Sequence, residues 1–144
     1  MASVLPYDPG ILPTKPSPLP GEHLQLELDG LPPIKDRNKS IRNRTHPLHG
    51  RFLALRRAAT TAMADRAWVF GRVRLQLVVR SAEHEDHYGL NDYLGGVMDT
   101  LDGSSGRTFT FLPIVYEDDC QVWGSETRRE ESSKTNYSLR VLFQ

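Results

Sequence analysis

Residues 71–80 read Gly71-Arg72-Val73-Arg74-Leu75-Gln76-Leu77-Val78-Val79-Arg80. Val73, Leu75, Leu77 and Val79 fall on one parity, and Arg72, Arg74, Gln76, Val78 and Arg80 on the other. Successive strand side chains leave opposite faces, so this period of two predicts a strand with one face buried and one in water. Gly71 opens it. Working backwards, Phe52, Leu55, Ala59 and Met63 recur at helical spacing with Arg56 and Arg57 off their face, which predicts a helix over 51–66. Earlier still, Leu24, Leu26 and Leu28 alternate with Gln25 and Glu27 in a strand over 23–29, which Gly30-Leu31-Pro32-Pro33 ends. Working forwards, Leu90, Leu94, Val97, Met98 and Leu101 form the apolar stripe of a second helix over 91–101, with Asn91 as N-cap and Gly103 as its stop. Residues 109–116 are apolar and β-rich but broken by Pro113. Residues 121–123 predict a short strand, 126–135 a polar loop, and Tyr137, Leu139, Val141 and Phe143 a last strand. This order predicts an α+β fold, a small mixed β-sheet with two main helices.

Six of the ten prolines lie in the first twenty residues. Proline fixes φ and removes a donor, so residues 1–22 are expected to form an extended arm outside the core, either a tail or a segment that wraps a partner chain. Residues 23–144 then form the single domain that 144 residues allow. No apolar run approaches the ~20 residues that a membrane helix needs, and Met1 to Pro20 lack the charged-then-apolar order of a signal peptide. Cys120 is the only cysteine, which excludes an intramolecular disulfide and a cysteine-based zinc cluster. A cytoplasmic location without membrane contact is expected.

Lys plus Arg and Asp plus Glu both total 18, so the formal net charge is zero. That neutrality is a cancellation. Residues 35–80 hold twelve Lys and Arg against Asp36 and Asp65, a net of +10, and residues 81–119 hold nine acids against Arg107, a net of −8. A basic surface beside clustered carboxylates is what a metal-dependent nuclease needs, bases for phosphates and carboxylates for divalent cations. The same two blocks also serve if they merely neutralise each other.

No G-x-S-x-G elbow, P-loop or H-E-x-x-H motif is present. Cys120 follows two acids, which raise a thiol pKa, so it is a poor nucleophile. His46 and His49 need carboxylate help to bind metal among so many arginines. Glu117-Asp118-Asp119 lies between an apolar segment and a strand, where it forms either a solvated turn or one side of a divalent-cation site. Asp92 and Asp99 are two helical turns apart, about 10 Å, too far to share one ion unaided. Asp92 at the helix start is the better ligand, and Asp99 is expected to pair locally. Gly95-Gly96 costs helix stability, about 1 kcal/mol per glycine relative to alanine. The pair therefore marks the close approach of another backbone or of a ligand.

Leu90-Asn91-Asp92-Tyr93-Leu94-Gly95-Gly96-Val97-Met98-Asp99-Thr100-Leu101-Asp102-Gly103, followed by Tyr116-Glu117-Asp118-Asp119-Cys120-Gln121-Val122, resembles the RusA family of Holliday junction resolvases. That family carries an Asp-x-Asp-Asn start, a lysine four residues on, an Asp-x-Leu helix end and a later Asp-Asp-x-Gln-Val segment. The resemblance extends over residues 23–143. It implies a homodimeric α+β nuclease that introduces paired nicks into four-way DNA junctions with Mg²⁺ or Mn²⁺. Of the three catalytic carboxylates it implies, Asp119 is present, while the other two fall on Gly89 and Asn91. The family asparagine falls on Asp92 and its lysine on Gly95. The implied metal ligands are Asp119 and Asp92, with Asn91 and Asp118 beside them in the catalytic neighbourhood. Lys35, Arg37, Lys39, Arg42, Arg44 and Arg51 are then expected to hold neighbouring DNA phosphates, which position the substrate without reading sequence. Two outcomes follow from the altered motif. Either Asp92, with Asp86 from the preceding loop, replaces the missing carboxylates, or the chain keeps the fold and DNA surface without efficient cleavage. A protein-interaction module built on the proline-rich arm is the reading from a different class.

Overall fold

The alternating stretch at 73–81 is the strand around which the sheet is built. In the computed structural model, which describes residues 12–82, 88–103 and 111–144, β2 (Val73–Ser81) pairs on both sides. On one side it runs antiparallel to β4 (Asn136–Phe143), and on the other parallel to β3 (Val122–Glu131). β1 (His23–Asp29) pairs antiparallel with β4 at the far edge, giving the order β1-β4-β2-β3. This is the small mixed sheet with two helices that the periodicities predict. The inner faces of β2 and β4 are buried along their length, from Val73 to Val79 and from Tyr137 to Phe143. Leu24 and Leu26 extend that layer onto β1.

Helix α1 (His49–Met63) covers it with Phe52, Leu55, Ala59 and Met63, the face that the sequence marks. The helix ends earlier than predicted because Ala64 and Asp65 both take left-handed φ, 51° and 66°, and reverse the chain. At that corner the Asp65 carbonyl accepts the amides of Thr14 and Lys15 at 3.2 and 3.0 Å, and Ser17 Oγ donates to the Trp68 carbonyl at 2.8 Å. The described part of the proline-rich arm therefore lies hydrogen-bonded along its own chain, with Pro18 buried.

Helix α2 (Leu90–Leu101) buries Tyr93, Gly96, Val97, Thr100 and Leu101, a face rotated from the predicted stripe, since Leu90, Leu94 and Met98 are only partly buried. The cause is a backbone crossing. A Cβ on Gly96 would sit 2.2 Å from the Pro33 carbonyl oxygen and 2.4 Å from the Ile34 amide nitrogen. Only glycine admits the loop there, and the loop turns that side of the helix inwards.

Three local predictions are corrected. Residues 126–131 are not loop but the body of β3, an edge strand of polar and charged residues that shows no apolar alternation. Phe111, Ile114, Val115 and Tyr116 are buried, but among the described residues this segment makes only isolated bridges, at Phe111 and between Val69 and Tyr116, and no strand. The N-cap of α2 is Gly89, and Asn91 sits exposed in the first turn. Residues 1–11, the acidic loop residues 83–87 that include Asp86, and residues 104–110 lie outside the described residues. Among the described residues no helix is long and apolar enough to cross a membrane.

Gly96→Ala forces backbone against backbone. It should cost about 1–3 kcal/mol or more in urea unfolding, the usual range for overpacking. At Gly95 a Cβ would meet only the Lys35 side chain, at 3.0 Å, and that chain can shift. Gly95→Ala should therefore stay within about 1 kcal/mol of the parent, its helix-propensity gain offsetting the crowding. Equal losses at the two positions would contradict the crossing.

Candidate metal centre

Asp99 and Asp102 are three residues apart at the C-terminal end of α2, a spacing that puts both on one side of the helix end. Residues 114–119 pass beside them. The amides of Ile114 and Val115 both donate to the Leu101 carbonyl at 3.1 Å, and the Tyr116 hydroxyl donates to the Met98 carbonyl at 3.3 Å. The chain then tightens into a 3-10 turn over Asp119–Gln121, which the Asp118 carboxylate caps by accepting the Cys120 amide at 3.0 Å. Gln121 fastens this turn to the sheet. Its Oε1 accepts the amides of Glu117 and Asp118, and its Nε2 donates to the carbonyls of Val69 and Gly71 at 2.9 and 2.8 Å.

The result is a cluster in which one carboxylate oxygen from each of Asp99, Asp102 and Asp119 lies within 4.8 Å of the others. Hard cations sit roughly 2.0–2.6 Å from oxygen ligands, so one ion between such oxygens spans that separation. The helix C-terminus adds its own partial negative charge.

The electrostatics are those of a site that wants a cation. Burial pushes the Asp102 carboxyl up to about 8, helped by a hydrogen bond to Asp119 and by the nearby charges of Asp119 and Asp99. Arg42 opposes this without prevailing. Asp99 is also raised by burial, against the pull of Arg42 and Lys35. Burial and the same three acids push the Tyr116 phenol well above its ordinary range. Asp119 Oδ1 is buried and accepts no hydrogen bond from amide, guanidinium or hydroxyl groups among the described residues. An orphaned carboxylate oxygen beside a carboxyl that keeps its proton at neutral pH is a donor set that a divalent ion would complete. The three acids thus can hold a metal ion.

Basic groups converge on the same place. Arg42 Nη2 donates to the Asp99 carbonyl at 2.7 Å and to Asp102 Oδ1 at 2.9 Å. Lys35 donates its amide to the Asp92 carbonyl at 3.0 Å, and its aliphatic stem crosses Gly95, where its Cβ and Cδ lie 3.0 and 3.1 Å from the position of a Cβ. Arg56, off the apolar face of α1 in the sequence, is 3% exposed. It donates to the Thr100 and Leu112 carbonyls and faces the Phe111 ring at 5.0 Å, joining α1 to both segments that carry the acids. Burial lowers its pKa to about 10, which leaves it cationic at neutral pH.

The expected site residues divide accordingly. Asp119 is in the cluster. Asp92 is not; its carboxylate accepts the Gly89 amide at 3.0 Å and caps α2. Asp118 is exposed and caps the 3-10 turn, and Asn91 makes no part of the cluster. Asp99 and Asp102 take the places expected for others. The signal in the sequence is the Asp99-x-x-Asp102 spacing, which sets two carboxylates on one side of the helix end. In the basic loop Lys35, Arg37, Lys39 and Arg44 are exposed. Arg42 is not solvated but held by the acids, and Arg51 Nη1 donates to the Pro32 carbonyl at 3.2 Å. His46 bonds Asp36 and the Leu48 amide, and His49 bonds the Ile41 carbonyl, so both fold the loop. Compared with known proteins, the chain matches no family model and no curated sequence.

Asp102 holds a proton in the folded chain, up to about 8, that it loses near its ordinary 3.8 when unfolded. The folded state binds more protons across that interval, so its stability in chelator should fall as pH rises through it. A divalent ion replaces that proton and should raise the melting temperature more at about pH 8.5 than at about pH 6. Thermal melts with EDTA and with Mn²⁺, repeated on Asp102→Asn, check this. The variant should lose both the slope and the metal response.

Proposed function

We propose that this chain is a structure-selective endodeoxyribonuclease of the RusA type, which nicks four-way DNA junctions with Mg²⁺ or Mn²⁺ and acts as a homodimer. The observation that carries this reading is the meeting of Asp119, the one family carboxylate retained in position, with Asp99 and Asp102 beside exposed bases of the 35–44 loop. Asp99, Asp102 and Asp119 would hold the ion, Asp102 giving up its proton as they do. When bound, the ion supplies Lewis-acid stabilisation of a phosphate and a water of lowered pKa. Lys35 contributes positive charge at the cluster from across Gly95, the position on which the family lysine falls. Arg37, Lys39 and Arg44 grip flanking phosphates, and Arg42 keeps Asp99 and Asp102 in register. Two copies would place two such sites for paired nicks.

A second reading rests on Gly89 and Asn91. With no carboxylate at either position and Arg42 already on Asp102, the chain would bind junctions without cutting them. Incubation with a synthetic four-way junction and Mg²⁺ or Mn²⁺ separates the two. Nicking supports the enzyme, and binding without nicking with either ion supports the second reading.

If the chain cuts, Asp119→Asn should slow cleavage by more than the roughly 100-fold that loss of an outer-shell partner costs, while junction affinity persists. Unchanged nicking would remove Asp119 from the site. Lys35→Ala should lower the single-turnover rate more than the affinity. Adding Gly95→Lys to that variant should restore much of the rate, because the new side chain leaves the helix into the volume that the Lys35 stem vacates. Arg37→Ala should instead weaken binding and shallow its salt dependence.

A further inference from the structure

Phe70 and Trp123 are 75% and 62% exposed, the two aromatic rings among the large hydrophobic side chains that are exposed in the described residues. They come from different elements yet are fixed at one end of the sheet. Phe70 sits in the turn before β2, between the two carbonyls, of Val69 and Gly71, that Gln121 holds. Trp123 lies at the start of β3, two residues beyond Gln121, where the register with β2 shifts between Val73 and Arg74 and leaves it out of the ladder. The Arg72 guanidinium lies 3.7 Å from the Trp123 ring centre, a cation–π contact that holds the indole by one face. Arg74 is exposed next to it, with its guanidinium over Gly124 at 2.8 Å from a Cβ position.

Exposed rings interleaved with arginines, on a rigid strand end, are the components of a single-strand platform: bases stack on the rings and phosphates meet the guanidinium groups. The same Gln121 that fixes this end of the sheet belongs to the 3-10 turn that opens with Asp119, so platform and carboxylate cluster share one rigid support. We infer that Phe70 and Trp123, with Arg72 and Arg74, form a stacking site for unpaired nucleobases, the strand segment that a branch point exposes and a duplex does not. This inference deepens the nuclease reading and rests on its choice of DNA as partner. The opposite charge of the flanking arginines and of a phosphate backbone favours a nucleic acid over a second copy of the chain.

Trp123 reports on its own occupancy. Trp68→Phe leaves it the only tryptophan of the 144 residues. Titration without metal, using an oligothymidylate and a blunt duplex of the same length, should quench Trp123 emission with the single strand and far less with the duplex. Phe70→Leu and Trp123→Leu keep apolar bulk at exposed positions while removing the ring. Each should weaken oligothymidylate binding about tenfold with the melting temperature unchanged. Absent quenching, equal quenching by the duplex, or unchanged affinity in both variants overturns the proposal. So does sedimentation that shows Trp123→Leu converting a dimer to monomers, which would assign the rings to a second copy. Quenching and ring-dependent binding in a chain that never nicks a junction would sink the nuclease reading and leave the platform standing. Nicking without quenching would do the reverse.

Discussion

The passage of the Pro33–Ile34 backbone across Gly96 is the constraint on which the rest of the site depends. Two backbones at that separation leave no room for any side chain, so the loop after β1 and helix α2 are locked in one relative position. The next residue, Lys35, then bonds the Asp92 carbonyl and drapes its stem over Gly95. Further along the same loop, Arg42 reaches the other end of the helix and takes the Asp99 carbonyl and the Asp102 carboxylate. A helix that gives up its own stability to carry two glycines gains, in return, basic groups at fixed places along its length.

That arrangement also explains how three acids coexist at a helix C-terminus. Like charges in a buried setting cannot all ionise, so the cluster resolves its repulsion by several routes at once. Asp102 keeps a proton, Arg42 pairs with it, and Lys35 acts on Asp99 from a distance. Arg56 stands behind them, its charge spent on carbonyl groups of both supporting segments. Such compensation is adjustable. A proton and a guanidinium are both exchangeable for a divalent ion, whereas a cluster neutralised by well-packed permanent pairs would have no reason to bind one.

The legible parts of the fold were those where one side chain in two or in 3.6 meets the core. β1, β2, β4 and the inner face of α1 are all of that kind. β3 was not, because an edge strand pairs through its backbone, and Ser125 to Glu131 are all polar or charged, so no apolar alternation marks them. α2 misled by a rotation, since the atoms that set its facing are the main-chain atoms of Pro33, which leave no periodic trace in the helix. At the site, Asp119 was legible through its motif. Asp102 lies past the helix end, and its approach to Asp119 depends on how residues 114–116 bond back to the end of α2, which no local period encodes. Arg42 and Arg56 show the opposite limit, for a buried cation and a solvated one look alike in sequence.

The cancellation between the +10 and −8 blocks can now be divided between its two explanations. Part of it is internal. Arg42 lies on Asp102 and Lys35 beside Asp99, so some of the positive charge of the loop does serve the acids that follow it. Another part faces outwards, with Arg37, Lys39 and Arg44 exposed on the same loop and Arg72 and Arg74 exposed at one end of the sheet. A base that served only the cluster would lie against it, as Arg42 does. Net charge is blind to that division, because a sum of zero is the same whether a base lies against an acid of its own chain or faces outwards.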